Sequence, residues 1–190
     1  MARRGGTWVQ RWRVPLGFAC AAVFIILARP NMRSLAAGGA VALVGLALRA
    51  WASGHIRKND RLAVSGPYAH TRNPLYLGSF ILGIGFTVAA ASSPLLFLLL
   101  GGLFASLFLG IYWPVMRVES ATLAGMFGEE YNAYAAAVPL LFPRLTPYRA
   151  GDGTSVRFDP TLYMRYREYR AALGLLVAWC VLWLKAILAF

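Results

Sequence analysis

Five runs of apolar residues, separated by short polar segments, constrain the fold of this chain more than any other feature. A helix that crosses a bilayer needs roughly 20 predominantly apolar residues, and these runs approach or reach that length. Hydrophobic residues make up 59% of the chain, above the roughly 45–50% of a typical soluble domain. The sequence therefore predicts an all-α integral membrane protein with about five transmembrane helices, in a single domain over residues 1–190. The predicted spans cover residues 14–28, 35–51, 75–91, 94–116 and 171–190.

The basic residues are distributed unevenly along the chain. There are 19 lysines and arginines against 7 acidic residues, which gives a net charge of +12. If the N-terminus lies in the cytoplasm, most of the basic residues fall on cytoplasmic segments, as the positive-inside rule requires. We therefore predict a multi-pass protein whose N-terminus and active site are cytoplasmic. The same rule accounts for the charge without nucleic acid, so membrane lipid is the expected partner and nucleic acid is not.

The segment after the fourth span predicts a cytosolic cap of short helices. Between Arg117 and Ala137, apolar residues recur at spacings of three and four, as in an amphipathic helix. Gly128 is expected to divide this segment into two shorter helices. Residues 91–94 are too few for anything but an antiparallel hairpin between the third and fourth spans. Glycines are expected to let these two helices approach closely: Gly83, Gly85, Gly101, Gly102 and Gly110.

The residue types that bind metals are sparse and scattered. Cys20 and Cys180 both lie within predicted spans, which suits packing. His55 and His70 are the only histidines, and neither has an acidic partner at the spacing of a zinc site. We therefore predict no metal site.

Polar and ring-bearing side chains gather at the start of the third span, in the stretch GPYAHTRNPLYLG over residues 66–78. Pro74 fits the first turn of a helix, where its missing N–H costs nothing. The free N–H groups of a helix start suit a carboxylate or a phosphate. The alternative is a simple re-entry loop with a proline cap and aromatic anchors at the membrane interface.

Glu119 lies just past the fourth span, on what the pattern predicts to be the same helix. An ionisable group at that depth is a candidate functional residue. The alternative is a structural ion pair with Arg49, Arg72 or Arg117.

Two sequence blocks together resemble the isoprenylcysteine carboxyl methyltransferase family and the wider group that includes phospholipid N-methyltransferases. The first is GPYAHTRNPLYLG over residues 66–78, and the second is ESATLAGMFGEEYNAYAAAVPLLFP over residues 119–143. Their order and separation match that family, so the matched core is 66–143, and the helix at about 171–190 is an addition. The chain departs from the family at Asn73, where the family has histidine, and at Ser120, where it has a second glutamate.

The resemblance implies a methyltransferase that uses S-adenosylmethionine, releases S-adenosylhomocysteine and acts on a lipophilic small-molecule or prenylated substrate. The favoured reaction is carboxyl methylation of an isoprenylcysteine-like acceptor. The alternatives are N-methylation of a phospholipid amine, and a non-catalytic membrane scaffold or transporter. The implied catalytic residues are Arg72, Asn73 and Glu119. The implied cofactor-binding residues are Tyr68, His70, Arg72, Asn73, Pro74, Tyr76, Leu77, Gly78, Glu119, Tyr131 and Tyr134.

Overall fold

The computed structural model of the chain describes residues 8–56, 61–149 and 157–188, and describes 8–14, 16 and 18 by their backbone alone. All regular structure in these ranges is helical. A short 3-10 helix lies between the second and third α-helices, at Gly66–Ala69. The α-helices are α1 Trp8–Leu27, α2 Met32–Ser53, α3 Pro74–Ala90, α4 Pro94–Ala137, α5 Pro160–Arg165 and α6 Tyr169–Leu188.

Three helices in the described ranges are long and apolar enough to cross a membrane, namely α2, α4 and α6. The prediction of an all-α membrane protein is therefore confirmed. The prediction of five spans is not, because only these three helices of the described ranges have the length and hydropathy of a membrane span. Helix α3 has only 17 residues, or about 25 Å at 1.5 Å per residue, against a hydrocarbon core of about 30 Å. Helix α1 has 20 residues, with Pro15 inside it.

The predicted cytosolic cap of short helices is replaced by a continuation of α4. Its 44 residues run from Pro94 to Ala137 with one interruption, at Gly128, so the amphipathic segment extends the fourth apolar run. The predicted break at Gly128 is present as a kink, with φ 52° and ψ −126°. Glycine adopts this positive φ at little cost, because it has no Cβ. The short helices in the described ranges are the 3-10 turn and α5.

Helices α2 and α3 approach so closely that their backbones touch. A Cβ added at Gly45 of α2 would lie 2.6 Å from the Gly78 carbonyl oxygen, and one at Gly38 would lie 2.4 Å from that of Gly85. Small residues at such positions let membrane helices pack by van der Waals contact. The expected glycine contact between α3 and α4 is present at Gly83, which faces the Phe104 ring, and at Gly101, where an added Cβ would lie 3.4 Å from Thr87. The expectation was wrong for the other three glycines. Gly85 faces α2, and Gly102 and Gly110 have no neighbouring atom within 4 Å of an added Cβ.

Aromatic rings join α3 to α4, and one of them, Phe104, packs against Gly83. Phe80 of α3 packs against Phe104 and Phe108 of α4, with ring centroids 5.6 and 5.2 Å apart. Tyr112 continues the row, 4.6 Å from Phe108 and 5.3 Å from Tyr76. The predicted hairpin is confirmed at 91–94, where the Ser93 side chain accepts from the Leu96 N–H at 3.3 Å. The aromatic row leads from the middle of the hairpin to the polar end of α3.

Helix α6 closes the bundle against the other helices. Trp179 packs on Phe86, with centroids 5.5 Å apart, and its ring lies over Gly39 of α2. The Lys185 ammonium donates to the carbonyl oxygens of Ile25 and Ile26, the latter at 2.9 Å. These carbonyls belong to the last turn of α1, whose acceptors have no partner within their own helix. Lys185 therefore caps α1.

Candidate functional site

A cavity of about 520 Å³ opens where the polar ends of α2, α3 and α4 meet the loop before α3. Eight of the eleven residues predicted for the site line this cavity, and His70, Leu77 and Gly78 do not. The eight are Tyr68, Arg72, Asn73, Pro74, Tyr76, Glu119, Tyr131 and Tyr134. The loop and the distal half of α4 thus meet at one place, as the two sequence blocks suggested.

Arg49 forms the α2 wall of the cavity. Its Nη2 donates to the Glu168 carboxylate at 2.6 Å, and its Nη1 donates to the Leu75 carbonyl oxygen at 3.2 Å and to the Ser79 hydroxyl. The side chains of Arg49 and Glu168 are 21% and 13% exposed. The Arg49 Nε is buried and has no hydrogen-bond partner among the described residues. One guanidinium therefore joins α2, α3 and the residue before α6.

Arg72 supplies a second guanidinium from the loop. Its Nη1 donates to the Tyr131 hydroxyl at 3.2 Å, and its backbone N–H donates to the Pro139 carbonyl oxygen at 2.9 Å. Its Nε, like that of Arg49, is buried without a partner within the described part of the chain. A buried donor left unpaired costs about 1–3 kcal/mol.

Glu119 faces the cavity from α4 and accepts a hydrogen bond from the Tyr76 hydroxyl at 3.0 Å. The residue is exposed. The alternative of an ion pair with Arg49, Arg72 or Arg117 is not what the geometry shows, because Arg49 pairs with Glu168 and Arg72 bonds to Tyr131. Glu119 therefore adds an exposed carboxylate to the lining of the cavity.

The loop before α3 is held by the segment that follows α4. The Thr71 hydroxyl donates to the Leu141 carbonyl oxygen at 2.8 Å, and the Asn73 side-chain amide donates to that of Leu140 at 2.9 Å. His70 donates through Nδ1 to the Arg144 carbonyl oxygen at 2.8 Å, and its own carbonyl accepts from the Arg144 N–H at 2.9 Å. The side chains of Asn73 and His70 thus stabilise the loop through hydrogen bonds, although Asn73 also lines the cavity.

The remaining predicted residues serve packing. Pro74 is the first residue of α3, as predicted. Leu77 packs with Met116 and Leu141 in a buried cluster. Gly78 lets Arg49 pass, because a Cβ there would lie 2.6 Å from the Arg49 Cγ. Leu77 and Gly78 thus set the position of the cavity wall without facing the cavity.

Two tyrosines form the floor of the cavity. The Tyr134 hydroxyl donates to the Tyr68 carbonyl oxygen at 2.7 Å, and both residues are buried. Burial raises the pKa of the Tyr68 phenol above its ordinary range, with a further contribution from Tyr134 beside it. Tyr68 therefore stays neutral and adds no charge to the cavity.

Sequence reasoning missed several residues of the cavity wall. Arg49, Arg61, Ser79 and Tyr112 all line it. Arg49 carried the clearest signal, since a charge inside an apolar run is a candidate functional residue in its own right. Ser79 and Tyr112 carried none, because they fall on lipophilic helices whose facing direction depends on packing.

A second cavity, of about 320 Å³, lies among α1, α3, α4 and α6 and is lined almost entirely by apolar groups. Its walls include Phe24, Phe86 and Phe104. Within residues 8–56, 61–149 and 157–188, no three His, Cys, Asp or Glu side chains come together as a metal site would require. The predicted absence of a metal stays a prediction.

The fold and the first cavity define a helical membrane protein with a cationic cavity at one end of its helices. The chain is 34% identical over 158 residues to the cobalt-zinc-cadmium resistance protein CzcN of Cupriavidus metallidurans, a match that covers 80% of this chain and 59% of that protein. It is 33% identical over 115 residues to the nickel-cobalt-cadmium resistance protein NccN of Alcaligenes xylosoxydans xylosoxydans, covering 60% of this chain and 50% of that protein. The chain thus spans between half and three-fifths of the length of these relatives. No family model and no solved structure matches the chain.

These relatives overturn the methyltransferase interpretation. Both are named for metal resistance and neither for methyl transfer. The predicted membership of the isoprenylcysteine carboxyl methyltransferase family, the enzymatic activity and the use of S-adenosylmethionine were therefore wrong. Part of the sequence match has a structural cause. His70, Thr71 and Asn73 of the first block hold the segment 140–144, which begins within the second block. Residues that hold two loops together therefore produce a sequence pattern that does not by itself indicate a reaction.

Proposed function

We propose that this chain is an integral membrane component of resistance to divalent metals, and that it acts as a non-catalytic scaffold. The observation that carries the proposal is the 34% identity to a cobalt-zinc-cadmium resistance protein over 80% of the chain. Nickel joins the set of candidate metals through the second relative. The role of a scaffold is to hold partner molecules at the membrane, so its polar groups belong at one face of the bilayer.

The distribution of polar groups supports a scaffold over a transporter. A transporter places its substrate-binding groups near the bilayer midplane, commonly on interrupted helices. Here the cavity lined by Arg49, Arg72 and Glu119 lies at the ends of α2, α3 and α4. The cavity between α1, α3, α4 and α6 is apolar instead.

The proposal includes a topology. Helices α1 and α3 cross the membrane with α2, α4 and α6, which gives five passes, and the N-terminus and the cationic cavity face the cytoplasm. The basic residues favour this orientation through the positive-inside rule. The shortness of α3 is compatible with local thinning of the bilayer.

Metal tolerance tests the function. Deleting the gene from the organism that carries it should lower tolerance of cobalt, zinc, cadmium or nickel, and returning the wild-type gene should restore it. Tolerance of detergent stress serves as the control, because a general membrane defect would lower that as well. Unchanged tolerance of all four metals would remove the metal-resistance proposal.

Flux measurements test the scaffold. Purified protein in liposomes that contain a zinc-sensitive dye should give no more zinc entry than protein-free liposomes. Entry that depends on the protein and saturates with zinc would replace the scaffold with a transporter. The two experiments separate the biological role from the mode of action.

A further inference from the structure

The cavity carries an unbalanced set of hydrogen-bond donors. Arg49, Arg61 and Arg72 all line it, against the single carboxylate of Glu119 among the described residues of the lining. Glu168 offsets the charge of Arg49 from outside the cavity lining, whereas Arg72 meets only the neutral Tyr131 hydroxyl. Among the described residues, the net charge on this side of the cavity is therefore positive, and guanidinium groups that line a cavity suit an oxyanion.

The other walls of the cavity are apolar. Leu62, Leu123, Met126 and Phe127 line it beside the arginines, and the cavity adjoins helices that qualify as membrane spans. Glu119 is the acidic residue in the lining, and it is exposed and hydrogen-bonded to Tyr76. Because water hydrates an exposed carboxylate, it screens the charge of Glu119 from the arginines. A ligand that suits these walls has an oxyanion joined to an apolar body.

We propose that this cavity binds the phosphate group of a membrane phospholipid. The guanidinium groups of Arg72 and Arg49 face the phosphate, Arg61 supplies further positive charge, and the apolar wall receives the first carbons of the acyl chains. Arginine suits this task because its guanidinium presents several donors in a fixed plane that matches phosphate oxygens. A volume of about 520 Å³ lies within the 300–1,000 Å³ usual for small-molecule sites. The proposal does not depend on the metal-resistance role.

Thermal stabilisation of the detergent-solubilised protein tests the proposal. Short-chain phosphatidylglycerol should raise the melting temperature in a dose-dependent way, because it binds the folded state. Diacylglycerol of the same chain length, which lacks phosphate, and inorganic phosphate at the same concentration should each have much less effect. Equal stabilisation by diacylglycerol would overturn recognition of the phosphate. Equal stabilisation by inorganic phosphate would overturn the lipid as its source.

Charge-removing variants locate the site. Arg72→Gln should weaken phosphatidylglycerol binding about tenfold or more, as loss of a charge-assisted hydrogen bond predicts. Arg61→Gln should weaken it by a smaller factor, and because Arg61 is exposed its loss leaves the fold intact. Arg117→Gln is the matched control, since Arg117 is exposed on α4 outside the cavity lining. Wild-type affinity in both cavity variants, or an equal loss in the control, would overturn the proposal.

Discussion

Arg49 of α2 and Glu168, the residue before α6, form an ion pair 2.6 Å apart in space and 119 residues apart in sequence. The pair is flanked by an unusual backbone conformation, because Arg167 has φ 57°, in the left-handed region. That region costs a non-glycine residue about 1–2 kcal/mol. The backbone at Arg167 is therefore strained in the conformation that places Glu168 beside Arg49.

Breaking this pair should destabilise the bundle. Glu168→Gln leaves the Arg49 guanidinium partly buried with a neutral partner, and we expect a loss of about 2 kcal/mol in unfolding free energy, below the range for fully buried pairs because both side chains are partly exposed. Thermal unfolding in detergent should show a melting temperature lower by roughly 4–8 °C. Glu130→Gln, at an exposed position on α4, is the control and should leave the melting temperature unchanged. Equal melting of the two variants would contradict a structural role for the pair.

The glycine contact between α2 and α3 should not accept a methyl group. In Gly45→Ala the new Cβ would lie 2.6 Å from the backbone of Gly78 and of Leu82, so the helices must separate. Overpacking of this kind costs about 1–3 kcal/mol. Thermal unfolding measures it. Gly102→Ala is the matched control, since nothing lies within 4 Å of the added Cβ, and its better helix propensity should leave stability equal or slightly higher.

The hydroxyl of Thr71 should matter more than its volume suggests. Thr71→Val keeps the shape but removes a buried donor to the Leu141 carbonyl oxygen, which is left without that partner. A loss of about 1–3 kcal/mol in unfolding free energy is expected. Thr122→Val makes the same change where the hydroxyl is exposed and bonds to its own helix at Val118, so its effect should stay below about 0.5 kcal/mol. A smaller effect at Thr71 than at Thr122 would show that the loop is not held through this bond.

Cysteine labelling checks the orientation. In a Cys20→Ala/Cys180→Ala background, Thr146→Cys should resist an impermeant maleimide in intact cells and react once the membrane is permeabilised. Ser92→Cys, in the exposed link between α3 and α4, should react in intact cells. These residues are expected on opposite sides because α4 separates them. Labelling of position 146 from outside would reverse the proposed topology.

The local sequence pattern predicted many of the residues that line the cavity. The others depend on packing between helices that are distant in sequence. The GPYAHTRNPLYLG stretch and the Glu119 segment each carry their polar residues close together in sequence, so their meeting needed only one hairpin between them. The pair of Arg49 with Glu168 has no such local sign, because it depends on how α6 returns to α2. The glycines illustrate the same limit. Their presence predicts close helix contact, but not whether Gly85 faces α2 or α4.

The biochemical interpretation failed for a related reason. Tyr68, Arg72 and Glu119 do line one cavity, so their placement followed from the sequence. Their chemical role did not follow from the sequence, because His70 and Asn73 make hydrogen bonds that hold the loop in shape whatever the function of the protein. In a single sequence, residues that hold two loops together give the same kind of pattern as residues that carry out a reaction.

The bonds from Lys185 to the end of α1 have a consequence for biogenesis. The first helix emerges from the ribosome long before its cap, because 160 residues separate Lys185 from Ile25. At about 5–20 residues per second, translation of that interval takes on the order of ten seconds. Throughout that time the last carbonyls of α1 need water, lipid headgroups or the insertion machinery as substitutes. A chain truncated before α6 would therefore leave the last carbonyl groups of α1 without the Lys185 ammonium as a hydrogen-bond donor.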